Sequence, residues 1–105
     1  PDSPLLAREA LARLPDVSAD RLGAVGAWAW GISRVVDVIA GESDLDASRI
    51  AVFGHSRFGK AALWATAMDT RIGAVIANQS GRLGASPTES RVGETLGGLL
   101  RRYPH

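Results

Sequence analysis

The sequence contains no cysteine. Disulfides, thiolate nucleophiles and cysteine-ligated zinc or iron-sulfur centres are therefore outside its chemistry. It also lacks any apolar run near the roughly 20 residues that a membrane-crossing helix needs, and it shows no export-signal pattern, so no membrane partner is expected. Neither sign of charge prevails, because 12 basic residues stand against 11 acidic ones for a net charge of +1. With no basic stripe and no aromatic residues interleaved with one, nucleic acid is not an expected partner either. Histidine is scarce, at two residues, and this bears on any general-base chemistry.

What the sequence does hold is an α/β pattern in a chain of 105 residues. That length suits one small domain, but the strands are too few to close a sheet. The chain begins at Pro1-Asp2-Ser3-Pro4 without an initiator Met and stops at Tyr103-Pro104-His105, just past a helical pattern. It is expected to be a segment of a larger protein, a single partial domain spanning residues 1–105.

Helical spacing over residues 5–14, ended by Pro15, predicts a short amphipathic piece. Over residues 20–40 the apolar positions Leu22, Val25, Ala29, Ile32, Val36 and Ile39 recur every three or four residues, predicting a long helix closed by Gly41. Gly23, Gly26 and Gly31 weaken such a helix, so its backbone is expected to lie close against a neighbour, with Trp28 and Trp30 as packing residues beside it. After a polar turn, Ile50-Ala51-Val52-Phe53 reads as a short buried strand. A helix to about Met68 follows, then a break at Asp69-Thr70-Arg71 and a second buried strand over residues 72–77. The resulting β-α-β unit places the C-terminal ends of both strands, and hence Ser56 and Gln79, on one edge. A turn-rich loop over residues 78–87 leads to a last helix from about Thr88, with Val92, Leu96, Leu99 and Leu100 facing inward.

Between the first strand and its helix stands Gly54-His55-Ser56-Arg57-Phe58-Gly59-Lys60. A serine at a strand-to-helix corner is the arrangement in which an α/β-hydrolase holds its nucleophile, and Gly54 and Gly59 are the small residues that let strand and helix approach. A hydroxyl needs a base to attack, and the oxyanion it creates needs donors already in place. The Arg57 amide at the helix start is one such donor, and the Arg57 guanidinium is a candidate second. Lys60, nearly one turn further on, is placed to meet an acidic or hydroxylated substrate. Two cations at a helix start oppose the helix dipole, and such a broken local rule points to function. Beside Ser56, His55 is poorly aimed to serve as its base and is expected to orient or pack. His105 ends the chain, so the base is expected to lie elsewhere.

The string from Gly54 to Ala65, with Asp69 to Gly81, Gly93-Glu94-Thr95, Tyr103-Pro104-His105 and Ala27-Trp28-Ala29-Trp30-Gly31, resembles the glucuronoyl esterases of carbohydrate esterase family 15, in particular the bacterial branch. The resemblance covers most of the chain. It implies part of an α/β-hydrolase three-layer sandwich and a metal-free, cofactor-free serine esterase. The implied substrates are 4-O-methylglucuronoyl esters linking glucuronoxylan to lignin alcohols, and the implied address is secreted or periplasmic. By motif position Ser56 matches the nucleophile, Arg57 the oxyanion-stabilising arginine, and Lys60 and Glu94 the residues that contact the sugar. Read from the residue alone, Glu94 near a helix start serves equally as a dipole-stabilising acid. Gln79, expected to face the substrate with them, stands where relatives often carry the acid that orients the base. Glutamine brings no charge to stabilise an imidazolium, so the acid is expected from a later strand. An acetylxylan esterase, another hydrolase with the same corner, and a catalytically silent carbohydrate-binding relative are the alternatives.

Overall fold

The computed structural model describes residues 19–87 and 93–103, with side chains from residue 23. The amphipathic piece over residues 5–14, the start of the last predicted helix at Thr88 to Val92, and His105 lie outside the described residues.

Helix α1 (Ala19–Gly41) leads into strand β1 (Ile50–His55), helix α2 (Arg57–Met68), strand β2 (Ile72–Asn78) and helix α3 (Leu96–Arg102). The two strands pair in parallel, with one irregularity between Ile50 and Ala51 that brings Val52 opposite Val75 and His55 opposite Asn78. Parallel neighbours require a crossover, and α2 supplies it.

The face of α2 that meets the sheet is built from Gly59, Ala61, Ala62 and Ala65, all buried. Side chains this small let the helix sit close to the strands. Ala29 and Val36 of α1 pack with Ala65, Ile50 and Ile72 into one cluster, which Ile32, Ile39 and Val52 extend. The turn from α2 to β2 is clamped. Asp69 takes hydrogen bonds from Arg71 Nε and Nη2 at 2.8 and 2.6 Å, and Arg71 Nη2 also reaches Asp37 of α1 at 2.9 Å. The Arg71 hydrogen bond is the chief reason the Asp69 carboxyl is drawn down to about 2.

Several expectations change. Both strands were expected to be buried, yet along β1 burial alternates. Ile50 and Gly54 are covered while Ala51 and Phe53 are exposed, Phe53 at 66%. Ala74 and Ile76 extend the same open face on β2. The described helices cover one side of the sheet only, although the strands are apolar on both, as in sheets covered on each side. Within α1, Gly23 is not helical. Its φ of 59° and ψ of 172° break the helix there, a conformation that glycine adopts without strain. Among the described residues a Cβ on Gly31 would meet nothing within 4 Å, so none of them makes the close approach expected there. The last helix begins at Leu96, capped by the Thr95 hydroxyl, which accepts from the Gly98 amide at 3.1 Å. Leu96 and Leu100 are half exposed rather than inward. Trp28 packs as expected, against Phe58 at 4.9 Å and edge-on to Tyr103 at 5.4 Å between ring centres, whereas Trp30 lies under the Arg34 guanidinium.

Candidate active site

The β1-α2 corner turns on Ser56, whose φ of 56° and ψ of −123° form a backbone that non-glycine residues seldom adopt. Three local features hold it there. The Ser56 amide donates to the Asn78 carbonyl at 2.9 Å, carrying the parallel ladder one residue beyond β1. Gly59 N–H returns to the Ser56 carbonyl at 3.0 Å to close the first turn of α2. Gly54 lets that turn fold back over the strand, since a Cβ there would come within 2.5 Å of the Phe58 carbonyl carbon and 2.7 Å of the Gly59 amide nitrogen. Ser56 occupies the N-cap of α2, yet its hydroxyl makes no capping bond, and the residue is exposed. The hydroxyl is thus presented outward beside the first-turn amides of α2, where a helix has donors in excess and favours negative charge.

The corner opens into a pocket of about 430 Å³ whose lining includes His55, Ser56, Lys60, Gln79, Ser80 and Glu94. The pocket lies at the C-terminal ends of the two strands, the usual place for ligands in open parallel sheets. A hollow of about 530 Å³ at the other end of β1, lined by Ile39, Leu45, Asp46, Arg49, Ile50 and Ala51, brings together no nucleophile.

Four of the five residues singled out from the sequence, Ser56, Lys60, Gln79 and Glu94, line this pocket together. The fifth, Arg57, directs its guanidinium to the pocket's acid. Arg57 Nε donates to Glu94 Oε1 at 2.9 Å, and Nη1 meets the Tyr103 hydroxyl at 3.4 Å. Burial disfavours the arginine's charge, but Glu94 outweighs it by hydrogen bond and by charge, with help from Tyr103, and holds Arg57 above the usual guanidinium range. Lys60 is less accessible than its predicted reach beside the serine implies. It is 6% exposed, Nζ donates to the Ser80 carbonyl, and Glu94 Oε2 lies 3.7 Å away. Glu94 is therefore no surface acid. Its side chain is 20% exposed, placed between two cations, and Oε2 is buried without a hydrogen-bond partner among the described residues. Such an acceptor gains most from a donor that enters the pocket.

Gln79 follows β2 with a φ of 46°, so the two strand ends of this edge both finish in left-handed backbone. His55 Nδ1 lies 3.1 Å from Asn78 Nδ2 across the ladder. That contact occupies one ring nitrogen of the exposed His55. Spacing did not single out Asn78, Ser80 or Tyr103. For Asn78 no signal existed either, because pairing the two apolar runs in simple register puts residue 55 opposite residue 77, and only the irregularity between Ile50 and Ala51 brings it opposite residue 78. Nothing local marks the Ser80 carbonyl or the Tyr103 ring. No cluster of three or more His, Asp or Glu with metal-binding geometry occurs among the described residues.

Comparisons with known proteins point to one family. A family model described as glucuronyl esterase, fungi, matches residues 17–95. The chain is 43% identical over 83 residues to a carbohydrate esterase from an unknown prokaryotic organism, covering 79% of this chain and 19% of that one. It is 39% identical over 71 residues to a 4-O-methyl-glucuronoyl methylesterase of Podospora anserina, covering 65% and 15%. Among solved structures, a glucuronoyl esterase from Solibacter usitatus superposes with a TM-score of 0.75 at 43% identity, covering 89% of this chain and 24% of that one. The chain thus spans between about a seventh and a fifth of the length of these curated relatives.

Proposed function

The chain belongs to the glucuronyl esterase family, and from that membership we propose that its parent protein is a serine carboxylic ester hydrolase that cleaves 4-O-methylglucuronoyl esters of plant cell-wall carbohydrate through an acyl-serine intermediate. Its fold is part of an α/β-hydrolase. One observation carries the reading: a strained, exposed serine at the strand-helix corner opens into the same pocket as a buried carboxylate oxygen that has no hydrogen-bond donor among the described residues.

In this proposal Ser56 Oγ attacks the ester carbonyl, and the charge that builds on the carbonyl oxygen falls toward the Arg57 amide and guanidinium. Donors of this kind contribute about 3 kcal/mol each when they are in place before the reaction. Glu94 Oε2 accepts from a sugar hydroxyl. Lys60, fixed by Ser80 and Glu94, sets the positive potential of the wall, and Gln79 closes the edge beside Ser56. The substrates named for the relatives, 4-O-methylglucuronoyl methyl esters, present a carbonyl and several hydroxyls within a span that suits such a pocket. The base that takes the Ser56 proton comes from outside the described residues, as does the acid behind it. Glucuronoxylan or a lignin-carbohydrate ester is the natural form of this substrate.

A catalytically silent carbohydrate-binding relative is the second reading, favoured by Gln79 in place of a carboxylate. One substitution separates the two. Ser56→Ala in the full-length protein is expected to abolish hydrolysis of a benzyl glucuronate ester while leaving sugar binding measurable by calorimetry. Hydrolysis at the wild-type rate in that variant would end the enzyme reading.

A further inference from the structure

Helix α3 is short, yet both of its ends grip one side chain. Glu94, just before the Thr95 cap, holds Arg57 Nε at 2.9 Å, while Tyr103, the C-cap residue, places its ring 5.3 Å from Arg57 Cζ and its hydroxyl 3.4 Å from Nη1. We propose that Tyr103 is a positioning residue that sets the plane of the Arg57 guanidinium for oxyanion stabilisation. The inference rests on the role proposed above for Arg57.

Tyr103 is itself held fast. It is 8% exposed, its amide donates to the Leu99 carbonyl at 2.9 Å, and its ring stands edge-on to Trp28, which also packs against Phe58, the residue after Arg57. The aromatic group therefore connects α1, the first turn of α2 and the end of α3 around one cation. Arginine carries several rotatable bonds, and a carboxylate at Nε fixes one point of the guanidinium rather than its plane. An aromatic face against Cζ favours one plane through cation-π attraction and steric contact. An oxyanion donor is effective to the extent that it needs no reorganisation when charge develops. Loss of the ring should then lower turnover and leave ground-state binding nearly intact.

The test uses the full-length protein, a benzyl glucuronate ester, and active sites counted by stoichiometric phosphonylation of Ser56. A merely structural Tyr103 would change the number of active sites without changing kcat per site. Tyr103→Leu is expected to lower kcat per site about tenfold with KM altered less than about twofold, and Tyr103→Phe, which keeps the ring, to recover most of that loss. In an Arg57→Ala background Tyr103→Leu should cost nothing further. Should the leucine variant fail to accumulate, Tyr103→Met carries the same expectation. Unchanged kcat per site in Tyr103→Leu, or a full tenfold loss that persists in the Arg57→Ala background, overturns the inference and leaves the function standing. Wild-type turnover in Arg57→Ala removes the role of Arg57 and the inference with it.

Discussion

Replacing Gly54 with alanine adds one methyl group at the point where the corner has least room for it. The new carbon would overlap the Phe58 carbonyl and stand 2.5 Å from its carbon and 2.7 Å from the Gly59 nitrogen. All three are main-chain atoms of the first turn of α2, so no side chain can rotate away. Relief requires β1 and α2 to separate by about 1 Å, and a displacement of that size at a reacting group costs on the order of 100-fold in rate. Overpacking of this kind costs about 3 kcal/mol, the upper part of the range for well-packed interiors. Gly31→Ala serves as the internal control. It lies within α1 with no described residue within 4 Å of the added carbon, so alanine should stabilise the helix by about 0.5 kcal/mol. Urea unfolding of the full-length protein followed by circular dichroism measures both variants, and steady-state hydrolysis measures the corner. The steric account of the corner fails if Gly54→Ala unfolds within 0.5 kcal/mol of wild type and keeps its turnover.

Further expectations follow from the same contacts. Glu94→Ala leaves Arg57 and Lys60 facing each other without their shared anion and should cost about 2 kcal/mol of stability, measured by urea unfolding; Glu94→Gln, which keeps an acceptor, should cost less. Lys60→Ala should raise KM for glucuronate esters more than for simple acetate esters, and equal changes would remove Lys60 from sugar recognition. Asp69, held at about 2 by Arg71, has its pKa depressed relative to an unfolded carboxyl near pH 3.9. The stability it contributes is complete above about pH 4 and is lost as the pH falls through about 2. Asp69→Asn should flatten the acid limb of the unfolding midpoint between those values. The open apolar face of the sheet, with Phe53 and Ile76 at 66% and 60% exposure, should make the 105-residue chain self-associate when expressed alone. Phe53→Lys should then lower the apparent mass by light scattering.

The corner was legible because its causes are local. An apolar run, two glycines bracketing a serine and a helical run follow one another without a gap, and both strands and α2 fall within a residue or two of the expected bounds. The last helix was less legible. Its periodicity puts the start at about Thr88, whereas the helix described runs from Leu96, after Gly93 with a φ of 95° and the Thr95 cap. The exposed face of the strands was misjudged because an apolar pattern reports what a strand is suited to, while cover depends on neighbours that the pattern does not name. The grouping of Arg57, Glu94, Lys60 and Tyr103 was not derivable from spacing. It depends on how Glu94 and α3 come to lie against the corner, where a Cβ on Gly81 would stand 3.3 Å from the Glu94 amide nitrogen. The resemblance supplied Glu94 as a candidate, but not its partnership with Arg57.

Every other basic side chain in this sequence is arginine, and Lys60 is the single amine-bearing one. Because that amine is sequestered at 6% exposure in the pocket wall, held by the Ser80 carbonyl and beside Glu94, it is shielded from reagents while the wall stays closed. Reductive methylation, which leaves a serine hydroxyl untouched, would mark one side chain within this segment, and its rate would record how often that wall opens.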